Sequence, residues 1–276
     1  MRRVHAILAL VVLTSVAGAA AAVLKQNRDL DERITSVALN GRVHARVVLP
    51  AGYADGNRRY PVVYFLHGLP ADAKAYRGND WLIGALAHMG PAILVIPQGA
   101  RDNDTDAEYL NWGSGRKWET YVAEEVPRYI DTHFRTIRSR AGRAIVGVSA
   151  GGYGATILGL HHLGSFAVVE SWSGYFHPTD PTGSRPLARG PAANAHTLIP
   201  ALRSSLERKP TFFAFYVGRG DKRFLAENVR FDRELTSARV RHVFEVYRGA
   251  HQTSLWTSHA QDWLGLALAH LAKPTA

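Results

Sequence analysis

The 276-residue sequence contains no cysteine. That absence excludes disulfides, thiolate metal sites, a cysteine nucleophile and a lipid-modified N-terminal cysteine, so the chain must draw its stability from its core. Lysine is scarce beside arginine, and the arginines are scattered along the chain. No Arg/Lys block interleaved with aromatics is present, and neither is a zinc or helix-turn-helix signature. Nucleic acid is therefore not an expected partner. Internal repeats are missing too, as is any linker that would divide the chain.

What is present is a globular composition, 46% hydrophobic and 20% charged, at a length that one α/β unit can hold. The net charge of +10 follows from a bias toward Arg and Ala. A basic face of this kind is compatible with anionic envelope polymers or lipid headgroups, that is, with membrane or cell-wall proximity.

The N-terminus differs from the rest. Arg2, Arg3 and His5 precede an uncharged, Ala-rich run from Ala6 to Leu24 that contains Ala17-Gly18-Ala19-Ala20-Ala21-Ala22. A basic start, an apolar centre and small residues at the end form the pattern of a secretory signal. The nineteen residues also approach the length of a membrane span. Residues 1–24 are thus expected to be a signal peptide or an uncleaved anchor, and residues 25–276 a single exported domain, secreted or held in the cell envelope.

From Arg33 onward the pattern is strand, turn, strand, then βα alternation. Ile34–Leu39 and Val43–Leu49 alternate around Asn40-Gly41, a hairpin signal. Pro61 introduces the apolar run Val62–Leu66, and Ala92–Ile96, Ala144–Val148, Ala167–Val169, Phe212–Val217 and Val243–Tyr247 repeat that signature of strands buried on both faces. Helices are expected at Trp81–Met89, Trp118–Phe134, Ala150–Leu163, Asn228–Ala238 and Trp256–Leu271. The alternation implies an α/β fold whose mostly parallel sheet opens with antiparallel strands and carries helices on both faces. Gln98–Gly115 and Tyr175–Pro200 read as irregular loops over the strand ends where ligands bind in such folds.

Gly147-Val148-Ser149-Ala150-Gly151 is a G-x-S-x-G sequence, set between the apolar run Ala144–Val148 and a helix-forming segment. In that strand–turn–helix setting the serine sits on a tight turn with its hydroxyl held above the sheet, which makes Ser149 the candidate nucleophile. A serine hydroxyl needs a base, itself oriented by an acid, and the chain order for this arrangement is Ser, acid, His. His251 follows the strand Val243–Tyr247 through Arg248-Gly249-Ala250 and is the candidate base. His161, His162, His259 and His270 fall inside helices and read as surface or packing residues. Asp221 ends Gly218-Arg219-Gly220-Asp221 after the strand Phe212–Val217 and is the candidate acid. Asp232 is the runner-up, inside a helix. Arg219-Gly220-Asp221 also spells a cell-adhesion tripeptide, a role the placement of Asp221 does not require. The oxyanion donors are expected to be the backbone N–H groups of Ala150 and of Leu69, in the loop His67-Gly68-Leu69-Pro70, with His67 a packing residue.

Asp102, Asp104, Asp106 and Glu108 alternate like the start of a calcium loop. Ala107 and Gly113 stand where that loop needs Gly and Glu, so a solvated acidic loop is expected. Neither a metal nor a cofactor is expected.

The residues resemble the esterase-D-like family of α/β hydrolases, which includes feruloyl and acetyl esterases, S-formylglutathione hydrolases and secreted mycolyltransferases. The likeness runs from about Arg33 to Leu271. It is carried by His67-Gly68-Leu69, Gly147-Val148-Ser149-Ala150-Gly151-Gly152, Ser171-Trp172-Ser173-Gly174, and Gly249-Ala250-His251 with Trp256 beyond. Trp118-Glu119-Thr120 is similar to the mycolyltransferase branch. The resemblance implies an α/β-hydrolase fold, the triad Ser149, Asp221 and His251, and oxyanion donors at Leu69 and Ala150. Two departures stand out. Thr253 replaces an aromatic residue found in many relatives, and Asp221 stands where the mycolyltransferases use Glu.

The chemistry expected is hydrolysis of a small-molecule or envelope ester through an acyl-enzyme on Ser149. An envelope acyltransferase would use the same residues with a sugar hydroxyl in place of water. A non-catalytic envelope-binding protein on the same scaffold would not need all three side chains.

Overall fold

The computed structural model describes residues 28–87, 90–102, 108–179 and 191–276. The N-terminal segment 1–24 lies outside the described residues. Among the described residues no helix is long and apolar enough to cross a membrane.

The chain opens with β1 (Arg28–Ser36) and β2 (Gly41–Leu49), continues through β3 (Val62–Leu66), α1 (Trp81–Ala87) and β4 (Ile93–Pro97), and then enters a long helix, α2. Helix α2 starts at Trp118–Thr120, passes through a π-helical stretch at Tyr121–Glu125 and ends in Val126–His133. Then follow β5 (Arg143–Val148), α3 (Ala150–His161), β6 (Val168–Trp172), α4 (Ala195–Ala201), α5 (Arg203–Arg208), β7 (Phe212–Gly218), α6 (Leu225–Ser237), β8 (His242–Tyr247) and α7 (Thr253–Ala269).

Among the described residues, the eight strands join one sheet in the order β1-β2-β4-β3-β5-β6-β7-β8. The β1–β2 and β2–β4 pairs are antiparallel, and every pair from β4–β3 to β7–β8 is parallel. This is the mostly parallel α/β sheet with antiparallel opening strands that the βα alternation implies.

Strand periodicity divides the core in two. In β3, Val62, Tyr64 and Leu66 pack on one face with α2, α3 and α6, through residues such as Val126, Ile157 and Phe231. Val63 and Phe65 pack on the other face with α1 and α7, through Leu82 and Trp263. Successive side chains point to opposite faces of a strand, so a run that is apolar at every position buries both.

The structure departs from the sequence expectations at several points. The hairpin is real, but its turn is the four-residue Val37–Asn40 and not the Asn40-Gly41 dipeptide. Ser36 pairs with Gly41, the Asn40 N–H donates to Val37 O at 3.3 Å, and Asn40 takes φ 50°. A long-range anchor explains the wider turn: Glu125 accepts from the N–H groups of Val37 (3.1 Å) and Ala38 (3.0 Å) and from the Ser36 hydroxyl (2.5 Å). The segment expected to be irregular through Pro200 becomes helical at α4, where the Asn194 side chain accepts from the His196 N–H at 3.0 Å as an N-cap. Helix α5 was not foreseen. Strand β6 extends past Val169 to Trp172, because Glu170 and Ser171 are buried there despite their polarity.

Glu108 is a further correction. It does not belong to a solvated acidic loop; it is fully buried and accepts from the Tyr175 hydroxyl at 2.9 Å and the Thr179 N–H at 2.7 Å. Asp102 accepts from the Ala73 N–H at 3.1 Å. Asp104 and Asp106 lie outside the described residues.

Candidate active site

Three parallel strands deliver the three polar side chains to one end of the sheet. Ser149 follows β5, Asp221 follows β7 and His251 follows β8. Ser149 sits between strand and helix with φ 55° and ψ −120°, a conformation rare for a residue with a Cβ and tolerated where surrounding structure enforces it. The enforcement is visible. The Ser149 N–H donates to Trp172 O at 2.9 Å, and Ser149 O accepts from the Tyr153 N–H at 3.1 Å. A Cβ on Gly151 would collide with Leu66 O, so helix α3 approaches β3 only because that position is glycine.

The side chains form a hydrogen-bonded chain. The Ser149 hydroxyl lies 2.9 Å from His251 Nε2, and His251 Nδ1 lies 2.8 Å from Asp221 Oδ2. An ionised carboxylate only accepts, so Nδ1 carries the proton and Nε2 is left to accept from the serine hydroxyl. The Asp221 side chain is 1% exposed, and its other oxygen accepts from the Arg223 and Phe224 N–H groups at 3.2 and 3.3 Å. These bonds hold the carboxylate so that it in turn fixes the imidazole. Phe224 and Trp256 both meet the His251 ring edge-on, with centroids 5.5 and 5.3 Å away. The Trp256 indole N–H donates to Ser173 Oγ at 2.9 Å.

The runner-up acid, Asp232, is placed elsewhere: it lies on α6 and pairs with His242 Nε2 at 3.1 Å. Burial of Asp221 also removes the adhesion reading of Arg219-Gly220-Asp221, since that motif must present its carboxylate to a partner. His161 and His162 both bond Glu119, at 2.9 and 3.0 Å, and His270 stacks on Phe212, consistent with packing roles.

Of the two expected oxyanion donors, Ala150 directly follows the serine and Leu69 follows Gly68, which packs against it. Ala150 is the first residue of α3, where N–H groups have no partner within the helix and the helix dipole favours negative charge. Across from it, a Cβ on Gly68 would lie 2.9 Å from Val148 O and 3.0 Å from Ser149 Cβ. Glycine at that position therefore lets the loop bearing Leu69 come against the serine. His67 beside it is not a second base. Its ring is buried, and burial pushes it down to about 4, against the Gly68 carbonyl contact at 3.2 Å that raises it. It packs edge-on against Tyr109, whose hydroxyl donates to His67 O at 2.8 Å.

Phe224, Ser173 and Trp256 carry no role in the sequence pattern. Ser173 and Trp256 lay within motifs that the resemblance had singled out. Phe224 carried no local signal, because its contact with His251 exists only once β7 and β8 are side by side.

A serine at a strained strand-to-helix turn, bonded to a histidine and a buried aspartate above a mostly parallel sheet, defines a protein of the α/β-hydrolase fold. The Esterase family model matches residues 36–262, and the chain belongs to that family. Esterase Rv1288 of Mycobacterium tuberculosis is 33% identical over 143 residues, which are 51% of this chain and 31% of the relative. Diacylglycerol acyltransferase/mycolyltransferase Ag85A of Mycobacterium leprae is 28% identical over 144 residues, 48% of this chain and 41% of the relative. The chain thus spans less than half the length of these curated relatives. Among solved structures, a ferulic acid esterase superposes with TM-score 0.74 at 23% identity, covering 89% of this chain and 100% of the other. An S-formylglutathione hydrolase from Agrobacterium tumefaciens superposes with TM-score 0.74 at 20% identity, covering 90% and 97%. At these identities the structural likeness speaks to the fold.

Proposed function

We propose that the protein is an exported serine esterase that cleaves a carboxylic ester through an acyl-enzyme on Ser149. The observation that carries this reading is the bonded chain from Ser149 Oγ through His251 to the buried Asp221 carboxylate. As Ser149 Oγ attacks the ester carbonyl carbon, its proton passes to His251 Nε2. Asp221 stabilises the imidazolium, and the N–H groups of Leu69 and Ala150 receive the oxyanion. A single donor of this kind is typically worth about 3 kcal/mol of barrier. Collapse of the tetrahedral species expels the alcohol with the proton held by His251. Water, deprotonated by the same imidazole, then attacks the acyl-enzyme and frees the acid and Ser149. The test is turnover of p-nitrophenyl acetate together with labelling by a fluorophosphonate. Labelling lost in Ser149→Ala supports the assignment, and turnover retained in that variant overturns it. An unlabelled but folded wild-type chain would return the reading to a non-catalytic binding protein.

The likeness to a protein named as an acyltransferase/mycolyltransferase favours a second reading, transfer of the acyl group to a sugar hydroxyl. Product analysis with a lipid donor and a sugar acceptor separates the two. Free acid alone means hydrolysis, and an acylated sugar means transfer. Export rests on the basic-then-apolar residues 1–24. The N-terminal sequence of protein recovered from the medium or the envelope fraction tests it.

A further inference from the structure

A second knot of imidazoles and carboxylates lies apart from the serine site. Glu227 stands in the first turn of α6. Its Oε1 accepts from the Phe176 N–H at 2.8 Å and faces His177 Nδ1 at 2.5 Å and His196 Nε2 at 3.1 Å. The other nitrogen of His196, Nδ1, meets Glu234 Oε2 at 2.6 Å. Among the described residues, His177, His196 and Glu227 form the one group of three whose donor atoms converge, all within 4.8 Å of one another.

Two features distinguish this knot from a surface ion-pair cluster. The first is proton demand. Both nitrogens of His196 face carboxylate oxygens, and each such contact needs a proton or a cation between the two atoms, whereas a neutral imidazole carries a single N–H. His196 is almost wholly buried, with its side chain 4% exposed, so water does not relieve that demand. The second is orientation. Glu234 holds His196 Nδ1 as an outer carboxylate holds a metal-bound imidazole, which fixes the tautomer and leaves Nε2 free to ligate. Glu234 is itself steadied by Arg230, whose Nε donates to its Oε1 at 2.8 Å.

We propose that His177 Nδ1, His196 Nε2 and Glu227 Oε1 bind a zinc-class divalent cation. Two imidazoles and a carboxylate are the donor set such borderline cations prefer over the all-oxygen shells of magnesium and calcium. Bonds of about 2 Å in a tetrahedral shell put ligand atoms roughly 3.3 Å apart, so adjustments of about an ångström seat the ion, with water in the fourth position. The His177 side chain, 28% exposed, can supply that movement. His196 also lines a cleft of about 470 Å³ with Glu234, Arg203, Arg230 and Arg233, whose arginines repel a cation. The cation takes the place of the hydrogen bonds that otherwise join these imidazoles to Glu227.

The site lies beside elements that back the serine site, without touching it. His177 follows the segment that leaves β6, His196 is on α4 and Glu227 is on α6, the helix that begins just after Asp221. Asn228 already ties α6 to that segment through Gly174 O at 2.9 Å. Tyr175 stacks on Phe224 at 5.0 Å, and Phe224 backs His251. A bound ion would lock these pieces together.

The experiment is a titration of ZnCl2 into EDTA-treated, dialysed protein by calorimetry, with melting curves in parallel. One saturable zinc per chain and a raised melting temperature are expected, with no saturable heat from MgCl2. His177→Ala and Glu227→Gln should each abolish saturation. Glu234→Gln should weaken it by about tenfold to a hundredfold, and Ser149→Ala should bind as the parent does. Glu227→Gln retains an acceptor for the Phe176 N–H and His177 is partly exposed, so both variants are expected to fold, which circular dichroism checks. The proposal is overturned if the parent chain shows no one-to-one binding, or if folded His177→Ala and Glu227→Gln bind zinc like the parent. Because the readouts are heat and melting, they stand apart from the esterase reading.

Discussion

His251 and His196 are built alike on one side and unlike on the other. Each holds its Nδ1 against a carboxylate oxygen, 2.8 Å from Asp221 in one case and 2.6 Å from Glu234 in the other. The difference lies at Nε2. His251 presents it to a hydroxyl that can give up a proton, whereas His196 presents it to the carboxylate of Glu227, which cannot. A carboxylate behind an imidazole therefore sets its tautomer and direction but not its task. Facing a hydroxyl, the imidazole can accept and return a proton. Facing a carboxylate and a second imidazole, it is an element of structure or a ligand.

Substitution at the two sites should separate these roles. The largest effect is expected at the serine chain. Ser149→Ala should lower kcat for an activated ester by a factor of about 10^6, and Asp221→Asn, which spoils the tautomer of His251, by about 10^4. Both should leave the unfolding midpoint in denaturant nearly unchanged. An Asp221→Asn variant of near-normal activity would remove the parallel between the two histidines. His196→Ala should do the reverse. It strands Glu227 and Glu234 without their shared partner and should destabilise the fold by about 3 kcal/mol, measured by urea unfolding, while the surviving folded fraction keeps its activity.

The pH dependence of stability comes next. Burial raises the Glu227 carboxyl, but hydrogen bonds from His177 and His196 outweigh it and bring the group from 4.5 down to about 2. A depressed folded pKa means stability that is complete above 4.5 and lost as pH falls toward 2. Glu170, buried in β6 with the Trp172 indole on one oxygen, is pushed by that burial up to about 8, the indole bond opposing it. Its contribution is complete below 4.5 and lost as pH rises to about 8. Denaturation across pH 3 to 9 should accordingly show Glu227→Gln flattening the acid limb and Glu170→Gln flattening the limb above 4.5. The smallest effect is expected at Gly68→Ala. Its methyl group must displace Val148 O or Ser149 and should lower kcat/KM by roughly tenfold to a hundredfold.

The two sites also differ in how far the sequence announces them. The serine site was legible because its residues sit at the ends of apolar strands, in a fixed chain order, with glycines where backbones must touch. Gly147, Ser149 and Gly151 are a local pattern, and Asp221 and His251 each follow a strand that periodicity locates. The His196 site has no such pattern. His177 and His196 flank a stretch that reads as loop, Glu227 is one of several acids on an amphipathic helix, and only the folded chain brings them within reach. The same holds for the turn at Val37–Asn40, set by Glu125 far along the chain, and for Glu108, which local composition places in solvent and Tyr175 and Thr179 place in the core. Helix α4 was hidden by Pro200 within it and by its Asn194 cap amid prolines and glycines.

His251 hangs from β8, and β8 lies at the edge of the sheet with β7 as its single neighbour. The residue it meets, Ser149, is 102 positions earlier. Contacts of long sequence separation slow folding, and sheet edges are among the elements prone to local opening. The Ser149–His251 bond requires β8 to be docked on β7, so local opening of that one edge strand would break it while leaving the core in place.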